Sequence, residues 1–547
     1  MGQTALARNE DRGSLRKMNL DLEGWFSRRG VRIGIWAAVA ALSVAKFFYL
    51  SADFPNWSPW MMDQAKFTDE GWWANAAVMH AISGHWFVAG DYNPAAALPV
   101  WPVLLGFLFH FTGVSVVAAR ALNVVISIAT LGVVFLLVRR FAEGRETPAL
   151  LAVLLLGASP FAFVFNRLAV LETLVVFEFC ALMLMASYAN VKRWRPLASL
   201  ALGTAVMLLT KTTAAILLPA VMWVAWSAME RKVAGLGRTV LAVVVVPLAL
   251  VNGYALLVAR MGYGADYRYF FGVNALPDIE WGQTLSILHD FFLDCFWVDR
   301  VLYPVGVAIL ILAVVWKRKL WSNPLFMASW LALAAEGVFV FRRQDDYAPR
   351  YFFAMLAPLV WIVVLTFAEL VTHAKKTAVL LGLVLSGAVI ANGWMIAGFL
   401  TQRSYDYRNA ADSIAQIVRS HPEQKALTLG VSGPQISLMT GIPAINDFYG
   451  TEDGAEKLRR YQPGWYLVWN AVSDDNKELL APYALEKMAS YPMFDDDDRR
   501  RWCFIGWWGR AGLDVWVAFP RGLKPSVYFQ PLAARLKPCP FKTSAIW

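Results

Sequence analysis

The stretch Phe67-Thr68-Asp69-Glu70-Gly71-Trp72-Trp73 follows the first long apolar run of the chain, near residues 33–52. Its acidic pair, Asp69 and Glu70, stands among aromatic residues in a chain that is apolar almost throughout. Carboxylates just outside a bilayer need a reason to be there, and a membrane enzyme would keep its general base at such a position.

The composition indicates a polytopic membrane protein. Of 547 residues, 58% are hydrophobic and only 16% are charged, and the mean hydropathy is +0.47. A soluble globular protein is far less apolar than this. The formal net charge of +10 would suit a nucleic-acid partner, but the basic residues fall mostly in short clusters between apolar runs, as a topology signal does. We therefore expect no nucleic-acid partner.

Neither the cysteines nor the amino terminus indicates further chemistry. The four cysteines, Cys180, Cys295, Cys503 and Cys539, lack the spacing of metal ligands and define no redox or zinc site. Beyond the acidic pair no metal-ligand signature is visible, so we predict metal-independent chemistry without a cofactor; a divalent metal stays as an alternative that the sequence does not indicate. A basic run precedes the first apolar run and no small-residue cleavage signal follows it, so we interpret that run as an uncleaved anchor.

About eleven apolar runs are predicted to cross the membrane, since roughly 20 residues span the hydrocarbon core. These runs lie near 33–52, 116–138, 148–165, 173–190, 196–210, 212–228, 239–260, 299–316, 324–341, 351–370 and 377–399.

Lysine and arginine clusters between the runs set the orientation, because such clusters face the cytoplasm. Residues 1–30 are then a cytoplasmic segment and 31–400 a transmembrane catalytic domain. The segments expected to face outward are 53–115, 166–172, the break at Lys211, 261–298, 342–350 and everything after residue 400.

Two apolar segments allow a second interpretation. The run from Leu98 to Phe111 could span the membrane, but it is short and contains Pro99 and Pro102, so we predict an interfacial or re-entrant helix. The run 196–230 is too long for one span, and we predict a hairpin broken at Lys211.

After residue 400 the composition becomes that of a soluble domain, predicted as an extracytoplasmic α/β domain and tail over 401–547. Short apolar runs alternate there with helical patterns, which is typical of an α/β arrangement. The predicted strands are 426–431, 465–469, 503–508 and 515–519, and the predicted helices are 407–419, 452–461 and 475–488.

Eight ionisable residues lie toward the outer ends of predicted spans, where a charge costs on the order of 2.5 kcal/mol unless it is paired or hydrated. One interpretation is snorkelling or structural ion pairs, such as Arg350 with Asp345 or Asp346 and Lys211 with Glu336. The other is a shared polar cavity that opens outward. The eight are Lys46, Arg120, Arg167, Glu172, Glu178, Lys211, Glu336 and Arg350.

Such a cavity would suit the headgroup of a polyprenyl phosphate, whose chain stays in the bilayer while arginine and lysine hold the phosphate. The main candidates for this contact are Arg350 and Lys211, with Arg167 as a third, tied to Glu172. A nearby carboxylate could take the proton of an acceptor hydroxyl as that oxygen attacks the anomeric carbon of a sugar.

The order of short motifs resembles that of a known family. After the acidic pair come Ala119-Arg120, Ser159-Pro160, Asn166-Arg167-Leu168-Ala169-Val170-Leu171-Glu172, Leu209-Thr210-Lys211 and Pro349-Arg350-Tyr351-Phe352. Over roughly residues 30–400 the chain resembles the GT-C glycosyltransferases of the protein O-mannosyltransferase and lipid A aminoarabinose transferase group. The acidic pair and the Arg-x-x-x-x-Glu element are the most specific parts.

The resemblance implies an α-helical polytopic membrane protein that moves a monosaccharide from a polyprenyl-phosphate donor to a hydroxyl of a lipid, glycan or protein acceptor, with inversion. It implies an extracytoplasmic active site, in a bacterial inner membrane, with Asp69 as the base and Glu70 as a second catalytic candidate. The expected substrate-binding residues are Arg350, Lys211, Arg167, Glu172, Tyr351, His85 and Arg120.

The chain departs from the family where a His-Pro-Pro type sequence usually opens the interfacial helix, because Ala96-Ala97-Leu98-Pro99 stands there. Either His85 takes over the role of that histidine or it packs in an aromatic loop. For Glu70 two roles also stay open, a second catalytic carboxylate or an acceptor for backbone amides at the start of a helix.

Two other functions remain as alternatives. A lipid or glycan transporter would also need an outward-facing polar cavity, although internal repeats and midplane charges are more typical of that class. A ligase that moves preassembled glycans from a diphosphate lipid would share the fold and differ in its donor.

Overall fold

A computed structural model describes residues 28–53, 68–275, 306, 308–309, 318–342, 349–373, 375–401, 403–469, 474–493 and 511–520. Helices dominate the chain up to residue 401, because in lipid every backbone polar group needs a partner within the protein. In chain order the helices of this part are α1 (Arg29–Ala45), α2 (Asp69–Ser83), α3 (Val100–Thr112), α4 (Val116–Phe141), α5 (Glu146–Gly157), α6 (Pro160–Phe165), α7 (Leu171–Ala186), α8 (Trp194–Thr210), α9 (Leu218–Ala228), α10 (Val233–Val240), α11 (Val246–Arg260), α12 (Gly264–Val273), α13 (Arg318–Ser322), α14 (Pro324–Arg342), α15 (Phe353–His373) and α16 (Lys375–Thr401).

Four helical stretches in the described part of the chain are long and apolar enough to cross a membrane: Val116–Phe141, Val233–Arg260, Arg350–His373 and Lys376–Ser420. The stretch Arg350–His373 is buried over 83% of its apolar window, compared with 22–44% for the others, so α15 lies at the centre of the helical part. The number of about eleven spans stays a prediction, because most of 299–316 lies outside the described residues and several other apolar helices are shorter.

The predicted span 148–165 is not one helix. It forms α5 and α6, which are separated at Ser159. The Ser159 hydroxyl accepts a hydrogen bond from the amide of Ala162 (3.2 Å), and Pro160 follows as the first helical residue. A serine cap followed by proline starts a new helix, which explains the break.

The predicted break at Lys211 is present, and the length of α3 is compatible with an interfacial or re-entrant helix, which stays a prediction. The helical run breaks at Lys211, which has an extended backbone between α8 and a 3₁₀ turn over Thr212–Leu217. Helix α3 has 13 residues. At 1.5 Å per residue it reaches about 20 Å, which is less than the roughly 30 Å of a hydrocarbon core.

The described residues after 403 form an α/β arrangement. Its helices are α17 (Asp406–Ser420), α18 (Gly433–Thr440), α19 (Gly454–Tyr461) and α20 (Asp474–Leu480), and its strands are β1 (Thr428–Leu429), β2 (Ala444–Ile445), β3 (Trp465–Trp469), β4 (Tyr483–Met493) and β5 (Ala511–Pro520). The strands are ordered β2-β1-β3-β5-β4. Strand β1 is parallel to β2 and β3, whereas β5 is antiparallel to β3 and β4.

The predicted helix 475–488 is wrong in its second half, where β4 begins at Tyr483. Tyr483 and Leu485 pack on the core of the sheet, and the strand pairs along its length with β5. This long-range pairing overrides the local helical pattern. The predicted strand 503–508 lies outside the described residues.

Helix α2 packs closely against α18 at Gly71. The Gly71 amide donates to Gln435 Oε1 (2.7 Å), and a Cβ at Gly71 would lie 2.2 Å from the backbone nitrogen of Gln435. Only glycine allows this approach of two backbones.

We expect Gly71→Ala to lower the free energy of unfolding by about 1–3 kcal/mol, because the added methyl group forces α2 and α18 apart. The matched control is Gly132→Ala in α4, where no atom lies within 4 Å of the added methyl group. The midpoint of thermal unfolding in detergent measures both. If the two variants melt alike, α2 and α18 do not pack this closely.

Candidate active site

Asp69 is the first residue of α2, and its carboxylate is almost completely buried. One oxygen, Oδ2, lies 2.9 Å from Nη2 of Arg350, and the other accepts a hydrogen bond from the Thr68 hydroxyl (3.1 Å). Arg350 lies in the 3₁₀ turn Pro349–Phe352 that leads into α15. The start of α2 and the start of the central helix therefore meet at one ion pair.

A chain of alternating charges continues from this pair. Nε of Arg350 is 3.8 Å from Oε1 of Glu172, in the first turn of α7. The same Glu172 oxygen accepts a hydrogen bond from Nζ of Lys211 (2.5 Å). Helix α7, the break between α8 and α9, and the turn before α15 thus each contribute one charged group to the series that starts at Asp69.

These charges lie beside a cleft of about 360 Å³, a volume that includes open solvent at its mouth. Tyr351 contributes its ring, whose centroid is 5.2 Å from Nζ of Lys211 and 5.1 Å from Cζ of Arg350. Glu336 of α14 also lines the cleft, and its Oε2 is buried without a hydrogen-bond partner among the described residues. The cleft therefore presents two cations, an aromatic face and the carboxylates of Glu172 and Glu336. Asp69 lies next to the cleft, through its ion pair with Arg350.

The arrangement suits the binding of a phosphate, which would replace the carboxylates as the partner of Arg350 and Lys211. The planar guanidinium of Arg350 can grip two phosphate oxygens, and the Lys211 ammonium adds a mobile donor. In the protein alone, Asp69 and Glu172 occupy these donors. A phosphate that takes Arg350 from Asp69 would leave that carboxylate able to accept a proton.

Glu70 points away from this cleft and is completely buried. Arg120 grips it with two hydrogen bonds, from Nε (2.8 Å) and Nη2 (2.6 Å), and the amide of Ala169 and the side chain of Gln435 also donate to it. The backbone amide that donates to Glu70 is that of Ala169, which lies outside α2. Glu70 therefore does not cap its own helix. Four hydrogen-bond donors contact the Glu70 carboxylate, which is typical of a residue that stabilises the fold.

Arg120 and Arg167 lie differently from what the sequence predicts. Arg120 also donates to the carbonyls of Leu50 and Ala52, so its donors hold protein groups together. Arg167 does not pair with Glu172; it donates to the carbonyls of Phe48 and Tyr49. The motif Arg-x-x-x-x-Glu places its two ends on opposite sides of the turn before α7.

His85 lies away from Asp69. It is exposed beyond the carboxyl end of α2, whereas Asp69 begins that helix. Fifteen residues at 1.5 Å each make α2 about 22 Å long. The histidine that stacks on an aromatic ring is His80, with its ring 4.3 Å from that of Trp86.

The eight outer charges do not form one shared cavity. Lys46 donates to the hydroxyl of Ser127 (3.3 Å), and Glu178 accepts from the hydroxyl of Thr210 (2.7 Å). Lys211 pairs with Glu172 rather than with Glu336, while Asp345 and Asp346 lie outside the described residues. Four of the eight line the cleft beside Asp69: Glu172, Lys211, Glu336 and Arg350.

Gln435 is a residue that the sequence does not single out. Its amide accepts from Gly71 and donates to Glu70, so it holds both residues that follow Asp69. It lies in α18, far along the chain, and no local sequence pattern distinguishes it from other glutamines. Only the contact between α2 and α18 reveals it.

Two buried aspartates tie the outer loops to the α/β part. Asp53 accepts from the amides of Tyr407 (2.7 Å) and Arg408 (3.1 Å) at the start of α17, and burial raises its pKa to about 6 despite these bonds. Asp91 pairs with Lys457 (3.0 Å), and burial raises its pKa as well. These contacts hold the α/β part over α2.

No three His, Cys, Asp or Glu side chains converge as a metal site would require, within the ranges that the structure describes. Metal-independent chemistry therefore stays a prediction.

Comparisons with known proteins agree on the fold. Residues 94–254 match the family model described as dolichyl-phosphate-mannose-protein mannosyltransferase. The chain is similar to the structure of ArnT from Cupriavidus metallidurans in the apo state (TM-score 0.56, 16% identity), over 88% of this chain and 98% of that one. The same protein bound to undecaprenyl phosphate gives a TM-score of 0.53 at 15% identity, with the same coverage.

A third structure, the oligosaccharyltransferase of Archaeoglobus fulgidus in complex with Zn and sulfate, aligns with a TM-score of 0.48 and 12% identity over 79% of this chain and 67% of that one. No curated protein sequence matches the chain. The family match over residues 94–254 and the fold shared with ArnT indicate a GT-C type membrane glycosyltransferase.

Proposed function

We propose that the protein transfers a monosaccharide from a polyprenyl-phosphate donor to a hydroxyl acceptor, with inversion, on the extracytoplasmic face of a bacterial inner membrane. The observation that carries this proposal is the chain of charges from Asp69 through Arg350 and Glu172 to Lys211 beside one cleft. The donor class draws support from ArnT, which shares the fold and binds undecaprenyl phosphate.

In the proposed reaction the donor phosphate enters the cleft and takes Arg350 and Lys211 as its partners. Asp69, released from Arg350, accepts the proton of the acceptor hydroxyl. The acceptor oxygen forms a bond to the anomeric carbon, and the bond from that carbon to the phosphate oxygen breaks. Arg350 and Lys211 stabilise the charge that develops on the leaving phosphate, which is the main electrostatic contribution of the site.

The test is a transfer assay with the purified full chain and a panel of radiolabelled polyprenyl-phosphate sugars. We expect release of polyprenyl phosphate and appearance of the label in an acceptor fraction. Transfer from a diphosphate-linked glycan with none from a monophosphate would establish a ligase instead. Label that crosses a vesicle membrane without cleavage would establish a transporter.

We expect Lys211→Met to raise the apparent donor KM roughly tenfold or more, because it removes one charge-assisted contact to the phosphate. The matched control is Lys46→Met, a buried lysine whose ammonium contacts Ser127 away from the cleft. Initial rates at varied donor concentration measure both. Unchanged donor kinetics in Lys211→Met, with a large fall in melting temperature, would show that Lys211 only holds helices together.

A further inference from the structure

A second cleft is lined by Arg120, the ion-pair partner of Glu70. Its volume is about 430 Å³, which includes open solvent at its mouth. Three arginines, Arg120, Arg167 and Arg403, line it together with Asp53 and Tyr49. None of these groups takes part in the transfer proposed for the first cleft.

Most of the negative charge around this cleft is already engaged. Glu70 neutralises Arg120. The oxygens of Asp53 accept the amides of Tyr407 and Arg408 at the start of α17. This leaves Arg167 and Arg403, and in the described part of the chain both donate only to backbone carbonyls.

Among the described residues, one donor of Arg167 lacks an acceptor. Its Nε is buried and has no hydrogen-bond partner among the described residues. Buried donors are rarely left in this state unless an unseen group completes them. Burial and repulsion from Arg120 lower the pKa of Arg167 to about 10, so an anion beside it would relieve both effects.

The surroundings of the cleft suit a lipid. The turn after α1 exposes Phe47, Phe48 and Tyr49, which are 40%, 53% and 45% accessible. Exposed aromatic residues at the end of an apolar helix are typical of a membrane interface. Arg403 stacks on Tyr49, with its Cζ 4.1 Å from the ring centroid, so a cation and an aromatic ring meet at the mouth of the cleft.

We propose that the cleft formed by Arg167, Arg403 and Tyr49 is a second phosphate-binding site, separate from the cleft beside Asp69, and that it takes the phosphate headgroup of a lipid. Arg167 binds the phosphate at the base of the cleft with its free Nε. Arg403 closes over it from the rim, and the lipid chains lie against the exposed aromatic turn. The glycosyl transfer reaction does not depend on this assignment.

Native mass spectrometry of the full chain in detergent tests the site. The probes are dioleoyl phosphatidate, dioleoylglycerol as the same lipid without phosphate, and inorganic phosphate. The background variant Lys211→Gln/Arg350→Gln removes both cations of the first cleft, so that phosphate binding there is abolished. In this background we expect phosphatidate to bind and dioleoylglycerol not to bind.

Adding Arg167→Gln and Arg403→Gln should weaken phosphatidate binding roughly tenfold or more, because two charge-assisted contacts are lost. Arg403→Gln alone, at an exposed side chain, should weaken it by roughly threefold to tenfold. Arg167→Lys should restore part of the affinity. Binding of inorganic phosphate as tight as that of phosphatidate would assign the site to free phosphate and overturn the lipid. Unchanged phosphatidate affinity in the Arg403→Gln variant would overturn the site.

These outcomes are independent of sugar transfer. Loss of transfer in Asp69 variants with intact phosphatidate binding would concern only the first cleft. Loss of phosphatidate binding with intact transfer would concern only the second.

Discussion

Asp69→Asn is expected to lower the rate of sugar transfer by roughly a hundredfold to ten-thousandfold, the usual cost of removing a positioned general base. Asparagine has nearly the same shape and can still accept from the Thr68 hydroxyl, so α2 should start as before. It cannot take a proton from the acceptor. The loss should therefore appear in turnover, whereas binding of the donor phosphate through Arg350 and Lys211 should persist.

Single-turnover assays with a radiolabelled donor, together with donor-binding measurements, would separate these two effects. The matched control is Asp412→Asn, since Asp412 is a half-buried aspartate on α17 that pairs with Arg408. This control should transfer sugar at the normal rate. Near-normal turnover in a correctly inserted Asp69→Asn protein would remove Asp69 from the mechanism.

Arg120→Met is expected to destabilise the protein by about 3–5 kcal/mol, because it leaves the completely buried Glu70 carboxylate without its countercharge. A large change in stability is the expected result if this pair is structural. If Arg120 instead binds substrate, the same variant would keep its stability and lose transfer.

The double variant Glu70→Gln/Arg120→Met serves as the control. Glutamine removes the buried charge and can still accept from the amide of Ala169, so part of the lost stability should return. Thermal unfolding in detergent measures both variants beside the native protein. If the double variant is no more stable than Arg120→Met alone, the unpaired charge is not the cause of the loss.

The class of the protein is readable from its amino-acid sequence. The apolar composition and spaced basic clusters predict a membrane protein, because crossing a hydrocarbon layer imposes long apolar runs that composition alone reveals. The break at Lys211 is also readable, because a charge in an apolar run is costly. The order of motifs around Asp69, Glu172, Lys211 and Arg350 is enough to predict the superfamily.

The amino-acid sequence does not show which charged residue pairs with which. Arg167 and Glu172 are close in sequence, yet Arg167 reaches the turn after α1 while Glu172 reaches Lys211. Glu70 and Asp69 are adjacent, yet they point into different surroundings, because successive residues of a helix point about 100° apart. The strand β4 replaces a predicted helix for a similar reason, since its pairing with β5 comes from a distant part of the chain.

By itself, the sequence determined that the chain is a membrane protein and which charged residues have to be accommodated in it. The tertiary structure decided which of these charges meet: Arg350 with Asp69, Lys211 with Glu172, and Arg120 with Glu70. The physical reason is that burying a charge costs free energy whatever its partner, whereas the partner depends on which helix ends the fold brings within a few ångströms.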